Sequence, residues 1–429
     1  MQKCSTLDNQ LRVVTESVPG SRSVAIGILV AAGPQNEQEN KAGLAHLTEH
    51  GFFLGTSGRD SNAISRLVDE TCGQVGAFTS RDYTCFHAHI MHDYRPFAWD
   101  LLGDMLLNST FPEERILQER DVVLQELGIS HDRPQSRLND CLKRSIWPKH
   151  PLGRPVGGDP DSVSSLTRED VIYFAGQNYM PDRMVIAAVG DIDHEATVAE
   201  ARDSFWRLLG TSQPEEQLPC DFESAVIMQT SEVSHAYFSI ALPGRPYNSE
   251  NRYGLHALDT LLGGGMSSRL YTQLRESLGL VYDVGSSYDA YKAAGTLMVE
   301  GVTSPEMLHQ VVNVVMQQVA EIAQDGVDEE ELHRVKLQIR GRHQLASDSI
   351  HTRMSRLLTQ EFYGRTTLAE ESVLSAVDDL TRDDLQQEAQ LLLAANKRAI
   401  ATIGPANNGL STGELQEILF QDFSTTAVL

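Results

Sequence analysis

The sequence predicts an α+β protein built from two homologous domains, each a mainly antiparallel sheet packed with helices. Three observations predict this class. The chain repeats itself at a nearly constant offset, each copy groups its strands with helical stretches, and its 429 residues are enough for two large domains. Because strands and helices are grouped in this way, we expect each copy to be a sandwich with its helices on one face of the sheet.

The repeat is visible in three pairs of segments that follow one another in the same order. The offset is 211 residues for the first pair and 214 residues for the other two. The pairs are 43–44 with 254–255, 166–170 with 380–384, and 185–190 with 399–404. Self-similarity at this period indicates duplicated domains rather than a solenoid of short repeats.

The elements of the two copies correspond in order. An apolar, strand-like run opens each copy, at 24–32 and at 236–242, and a helix follows after a polar turn. Further strands are predicted at 83–91 and 295–302, before two helical stretches and a short closing strand. The polar, turn-rich residues 210–221 are the predicted linker, which gives domains at 1–212 and 222–429.

Composition excludes several classes of protein. There are 35 Lys and Arg residues against 59 Asp and Glu, a net charge of −24, which repels phosphate backbones and anionic lipids. We therefore expect neither nucleic-acid nor membrane binding. The early run 24–32 is much shorter than the roughly 20 residues that span a bilayer. With no secretory signal at a polar N-terminus and five scattered cysteines, we expect a reducing cytoplasm.

The strongest local signal is a pair of histidines. His46 and His50 stand four residues apart in a predicted helix at 42–54, so both rings project from one face, as two nitrogen ligands of one zinc ion require. Glu49 can reach the open coordination position and act as general base on a water molecule there. The order His-x-x-Glu-His is the inverted form of the common zinc-protease helix motif. The alternative interpretation is two solvated histidines on a helix that binds no metal.

Two further observations favour a metal site. The second copy places Ala257 and Leu261 opposite the two histidines, so packing does not require histidine there. A predicted helix at 113–129 carries Glu119 and Glu126 on one face, and the corresponding segment 333–342 contains no carboxylate. A third, anionic ligand from this helix would complete a catalytic zinc site and leave one position for water.

These residues resemble the pitrilysin/insulinase family of zinc metallopeptidases, whose third ligand lies 76 positions after the second histidine. The resemblance implies one zinc ion per chain, held by His46, His50 and Glu126. It further implies that Glu49 is the general base and that Glu119 contacts the metal ligands without binding the metal itself. Matching blocks at 51–56, 77–84, 150–155, 263–270 and 275–282 extend the resemblance over nearly the whole chain.

The family fold implied is a clamshell in which two such pairs of domains enclose a chamber. Arg275 and Tyr282 would then come from a second-half domain opposite the zinc, where they bind the substrate carbonyl and stabilise the oxyanion. Because one chain carries both the zinc residues and this pair, we expect a homodimer. A heterodimer with a related subunit stays open.

Four residues are candidates for binding the substrate backbone. Gly76, Ala77, Phe78 and Thr79 form the strand that borders the active site in the family, and an extended peptide would pair with it by β-augmentation. The family usually has Asn where Gly76 stands, and one substrate hydrogen bond of about 1 kcal/mol would be missing.

The sequence thus predicts a zinc metalloendopeptidase that cleaves short or unstructured peptides, for processing or clearance. The alternatives are a catalytic subunit that needs a zinc-free partner and a non-catalytic structural core subunit, against which the full zinc set counts. A bacterial cytoplasm is favoured over a mitochondrion. His87 and His89 share a strand face, but without a nearby carboxylate or cysteine partner they are weak candidates for a second metal site.

Overall fold

A computed structural model describes residues 2–71, 73–212, 218–364, 370–394, 396–406 and 411–421. The chain forms two compact units, each assembled from three separate stretches of sequence. The first unit contains Met1–Ile129, Arg154–Gln217 and Gln344–Ala369, and the second contains Ser130–Gly153, Leu218–His343 and Glu370–Leu429. The sequence division at 1–212 and 222–429 follows the duplication and stays a prediction. Among the described residues, no helix combines the length and the apolar character that a membrane span needs.

Eleven strands and fifteen α-helices make up the described part of the chain. The strands are β1 Gln2–Thr6, β2 Arg12–Ser17, β3 Ser23–Val30, β4 Gln74–Thr79, β5 Thr84–Met91, β6 Met184–Gly190, β7 Ala225–Thr230, β8 Ala236–Gly244, β9 Val281–Ala290, β10 Gly295–Thr303 and β11 Ala399–Gly404. The helices are α1 Leu44–Gly51, α2 Ser61–Glu70, α3 Arg95–Asn108, α4 Glu113–His131, α5 Pro134–Ile146, α6 Pro160–Ser164, α7 Arg168–Asn178, α8 His194–Phe205, α9 Arg252–Gly263, α10 Leu308–Asp325, α11 Glu329–Ala346, α12 Ile350–Phe362, α13 Glu370–Asp378, α14 Arg382–Ala394 and α15 Thr412–Phe420.

Each unit contains one sheet, and the two sheets follow the same path. The first has the strand order β1-β2-β6-β3-β5-β4 and the second β7-β11-β8-β10-β9. If β1 is left out, the five strands β2 to β6 have the same spatial order in the first sheet as β7 to β11 have in the second, each strand matching the one five numbers later. The pairs β2–β6 and β7–β11 are parallel and all others are antiparallel. The prediction of two homologous, mainly antiparallel α+β domains is therefore confirmed.

The expectation that helices cover only one face of each sheet is wrong. In the first unit α12 covers the second face, where Met354, Leu357 and Leu358 pack on strand residues such as Ala25. A Cβ at Gly27 would lie 2.2 Å from the Met354 sulfur, so this helix needs a glycine on β3. In the second unit α5 covers the corresponding face of the sheet, where Leu138, Leu142 and Ile146 pack on strand residues such as Ala401.

The sequence contains a signal for these covered faces. The interior strands β6 and β11 are buried at every residue, and apart from Thr402 both are apolar throughout rather than alternating. Continuous runs are typical of strands that are covered on both faces. The helices that provide the cover come from the opposite half of the sequence, which periodicity alone cannot indicate.

Candidate metal centre

The helix α1 carries the two histidines and is fixed by its apolar face. Leu44 and Leu47 are buried in the main core of the first unit, with 5% and no exposure respectively. Gly43 begins the helix with φ at +93°, a left-handed conformation that favours glycine. His46 and His50 are only partly buried, and they face the neighbouring helix α4.

The helix α4 brings two carboxylates to this place. Ile116 and Val123 are fully buried on its core face, and Glu119 and Glu126 each follow one of them by three residues. Residues three apart on a helix lie side by side. The packing of Ile116 and Val123 therefore fixes the direction in which both glutamates point.

The predicted ligand atoms converge. The Nε2 atoms of His46 and His50 are 3.2 Å apart, and Glu126 Oε2 lies 3.9 Å and 3.8 Å from them. Tetrahedral zinc bonds of about 2.0–2.1 Å place ligand atoms roughly 3.3 Å apart, so small adjustments suffice. Within the described residues, this is the group of three side chains able to hold a metal ion, with ligand atoms within 4.8 Å of one another. The donor set and its spacing fit zinc.

The surroundings of His50 orient its ring as a metal ligand, and those of His46 keep its ring neutral. Glu119 Oε1 accepts a hydrogen bond of 2.8 Å from His50 Nδ1, which directs the lone pair of Nε2 towards His46 and Glu126. Burial, followed by the neighbouring His50, lowers the pKa of His46 to about 4. A metal-binding imidazole must be unprotonated, and His46 meets this condition at neutral pH.

The candidate general base is buried beside the ligands. Glu49 is 7% exposed, and Thr79 Oγ1 donates a hydrogen bond of 2.6 Å to its Oε2 atom. Burial raises the pKa of Glu49, the Thr79 hydrogen bond and His50 oppose this, and the charge of Glu126 adds to it. A carboxylate with a raised pKa holds an accepted proton more readily, as a general base must.

The candidate substrate strand is at the edge of its sheet. Gly76, Ala77, Phe78 and Thr79 lie in β4, which pairs with β5 and with no other described strand. The outer edge of β4 is therefore open to a further strand, and the Phe78 ring is 42% exposed. A Cβ at Gly76 would lie 3.4 Å from Cε1 of His87, an ordinary contact, so the structure has space for a side chain there.

Sequence reasoning missed one contact at this strand. Thr79 was expected only to bind substrate, yet it also holds the Glu49 carboxylate. The two residues are 30 positions apart, and only the packing of α1 against β4 brings them together. A threonine at the end of an active-site strand was the available signal.

Arg275 and Tyr282 lie together in the second compact unit. Arg275 belongs to a π-helical turn, Tyr271–Ser277, a rare conformation that is frequent at functional sites. Its guanidinium carbon is 5.3 Å from the Tyr271 ring centre and 5.5 Å from that of Tyr282. Tyr282 is 76% exposed. The pair is thus preformed at the surface, and its action on a substrate stays a prediction.

The histidines on β5 have a different neighbour. His87 and His89 share a sheet face, and the ring of His351 lies 4.9 Å and 6.2 Å from their rings. His89 Nε2 is also 3.3 Å from Ser23 Oγ. In the described part of the chain, these three histidines do not bring ligand atoms as close together as His46, His50 and Glu126 do.

Comparison with known proteins identifies the family. A model described as insulinase (peptidase family M16) matches residues 12–160, and one described as peptidase M16 inactive domain matches residues 165–339. The chain is 35% identical over 410 residues to an "uncharacterized zinc protease" of Mycobacterium leprae, covering 94% of this chain and 91% of that protein. This chain belongs to peptidase family M16.

A further relative agrees with this membership, and two solved structures share the fold. An "uncharacterized zinc protease" of Bacillus subtilis is 30% identical, covering 95% of this chain and 99% of that protein. The crystal structure of a peptidase M16 inactive domain from Pseudomonas fluorescens has a TM-score of 0.89 at 21% identity, covering 95% of this chain and 98% of that one. The crystal structure of a protease from Helicobacter pylori has a TM-score of 0.87 at 19% identity, covering 94% of this chain and 100% of that one.

The family membership confirms the predicted enzyme class and cofactor, a zinc metallopeptidase. The two solved structures confirm the fold. The match to the inactive-domain model, residues 165–339, includes Ala257 and Leu261, which replace the two histidines in the second copy.

Proposed function

We propose that this M16 peptidase is a zinc-dependent endopeptidase that hydrolyses short or unstructured peptides, in processing or clearance. The observation that carries the proposal is the convergence of His46, His50 and Glu126 beside the buried carboxylate of Glu49. When bound there, a zinc ion supplies Lewis acidity, which polarises the scissile carbonyl and makes a water molecule more acidic.

The protein's own groups perform the proton transfers. Glu49 accepts the proton of the attacking water molecule and delivers it to the leaving amine. Because Thr79 occupies Oε2 of Glu49, the other carboxylate oxygen, Oε1, is the atom that carries the proton. Glu119 keeps His50 in the orientation and tautomer of a ligand throughout.

The peptide binds as an added strand. Backbone groups on the open edge of β4, at Gly76, Ala77, Phe78 and Thr79, pair with an extended substrate. This mode of binding requires several residues of unfolded chain, and it therefore selects unstructured peptides over folded proteins. Gly76 offers only its backbone, so the hydrogen bond that an asparagine amide would make to the substrate backbone is missing.

The oxyanion is stabilised by Arg275 and Tyr282. Both side chains are exposed, and the Arg275 guanidinium lies beside the Tyr282 ring, so the pair is accessible to a substrate. We propose that residues 1–212 form the zinc-binding domain and 222–429 the homologous domain that supplies this pair. In a homodimer, the pair of one chain would serve the metal centre of its partner.

Substrate choice is tested with one sequence in two states. A quenched peptide and a folded protein that displays the same segment are incubated with the purified chain. We expect cleavage of the peptide and no cleavage of the folded form until it is denatured. Equal cleavage of both forms would contradict the proposed selection by strand addition.

The shared site is tested by mixing two inactive variants. Glu49→Gln and Arg275→Ala chains are each assayed alone and then after exchange of subunits. If each site uses residues of two chains, the mixture regains about a quarter of the wild-type activity, because half of the dimers are mixed and each has one intact site. An inactive mixture, or a monomer in solution with full activity, would contradict the homodimer.

The heterodimer is the second candidate, and solution mass together with activity of the chain alone distinguishes it. A chain that binds zinc yet cleaves only after a related subunit is added would support it. For the compartment we propose a bacterial cytoplasm, supported by the bacterial relatives and by cysteines that show no close pairing in sequence.

A further inference from the structure

The short helix α1 lacks an ordinary N-terminal cap. It has only eight residues, three of which are His46, Glu49 and His50, and the capping position is Gly43, which has no side chain to offer. The first N–H groups of a helix have no partner within the helix. In α1 these groups must therefore be satisfied from elsewhere if the metal-binding residues are to be held in place.

The partner is a buried carboxylate from the preceding loop. Glu37 Oε1 accepts a hydrogen bond of 2.7 Å from the Ala45 N–H group, and Oε2 accepts one of 3.2 Å from Gly43. Glu37 is 6% exposed. When ionised, it places a negative charge at the positive end of the helix dipole, where carboxylates are stabilising.

The surroundings of Glu37 hold it at this position. Arg154 Nη1 donates hydrogen bonds of 2.7 Å and 3.4 Å to the backbone carbonyls of Glu37 and Pro34. A Cβ at Gly43 would lie 2.6 Å from the Gly157 carbonyl oxygen, so a side-chain cap at that residue has no space. Burial raises the pKa of Glu37 to about 8, against the opposing effects of the backbone hydrogen bonds and Arg154. Such a costly burial is typical of a carboxyl group with a specific task.

We propose that Glu37 is a positioning residue for the metal centre, which sets the place of α1 and thereby the approach of His46, His50 and Glu49 to Glu126. This inference rests on the proposed function, since it concerns the same site. Glu37 touches neither the ligands nor the substrate and acts only through the backbone of α1. A single carboxylate thus replaces the serine, threonine or aspartate that commonly caps a helix.

The test uses Glu37→Gln, which keeps the shape but offers only one acceptor oxygen to two N–H groups. The control is Glu16→Gln, another buried carboxylate of the first unit, which pairs with Arg353. Zinc affinity is measured by competition with a chelator, without any substrate. We expect zinc binding about tenfold weaker in Glu37→Gln and unchanged in Glu16→Gln. With zinc saturating, we expect kcat to fall while KM stays constant.

Amide hydrogen exchange provides the second measurement. In Glu37→Gln, the α1 amides should exchange faster than in the wild type while the β6 amides keep their protection. If Glu37→Gln does not fold, Glu37→Asp takes its place, with a carboxylate that is one methylene too short. Equal zinc affinity and equal α1 exchange in the variant and the wild type would overturn the proposal alone. A wild-type chain that binds no zinc would overturn both this inference and the proposed function.

Discussion

Replacing Thr79 by Val removes one hydroxyl from the metal centre and little else. The hydroxyl donates a hydrogen bond of 2.6 Å to Oε2 of Glu49, the candidate general base. Valine has a similar shape and the same preference for strands, so β4 should keep its pairing with β5. The Thr79 hydroxyl also lies 3.4 Å from Thr84 Oγ1, a longer contact between neutral groups. The main effect of the substitution is therefore the loss of the hydrogen bond to the Glu49 carboxylate.

The size of the effect follows from the charge of the acceptor. A hydrogen bond to a charged group contributes about 1.5–3 kcal/mol and one to a neutral group about 0.5–1.5 kcal/mol, so the charged form of Glu49 loses roughly 1 kcal/mol more. Since about 1.4 kcal/mol corresponds to one pKa unit, the pKa of Glu49 should rise by somewhat less than one unit. The hydrogen bond favours the charged form, which sets the direction of the change.

The assay is kcat/KM for a quenched peptide as a function of pH. The acidic limb of the Thr79→Val profile should move to higher pH by somewhat less than one unit. The control is Thr197→Val, a buried threonine on α8 whose hydroxyl donates to the Asp193 carbonyl at 2.7 Å; its profile should match the wild type. A Thr79→Val enzyme slowed equally at every pH would refute this account of Thr79.

Three further predictions concern the same site. Glu119→Ala should weaken zinc binding about 10- to 100-fold, because His50 Nδ1 loses its acceptor, and chelator competition would show this; unchanged affinity would contradict the role given to Glu119. Gly76→Asn should raise kcat/KM about fivefold by adding a substrate hydrogen bond of about 1 kcal/mol; because the structure has space for the side chain, an unchanged or lower kcat/KM would contradict this prediction. In the metal-free protein, the pKa of His46 near 4 lies below its unfolded value of about 6.5. The unfolded chain then binds the proton more tightly, so stability should fall as pH drops from about 6.5 towards 4. His87 has a similarly lowered pKa and contributes a dependence of the same sign. Urea unfolding of His46→Phe should therefore show a weaker dependence on pH than the wild type, and an identical dependence in both proteins would count against it.

Much of the site is local in sequence and could be predicted from it. The spacing of His46 and His50 fixes their common helix face, and the family spacing identifies Glu126. The second copy indicates that neither histidine is needed for packing, since Ala257 and Leu261 are buried there instead. The correspondence between the strands of the two copies can also be predicted, because the repeated segments are recognised in the sequence without any information on long-range contacts.

The remainder depends on contacts between residues that are distant in sequence. The periodicity of α5 and α12 indicates amphipathic helices but not that each covers the sheet of the opposite half of the sequence. The contact of Thr79 with Glu49 requires the packing of α1 against β4. Glu37 caps α1 from outside the helix, so the usual pattern of capping residues could not identify it.

The central claim is that the metal held by His46, His50 and Glu126 works together with the carboxylate of Glu49. The most direct test measures zinc content and peptide cleavage of the purified wild type beside Glu49→Gln. We expect one zinc ion per chain in both proteins and cleavage by the wild type alone. Cleavage by the variant at the wild-type rate, or cleavage by a wild type stripped of zinc, would contradict it.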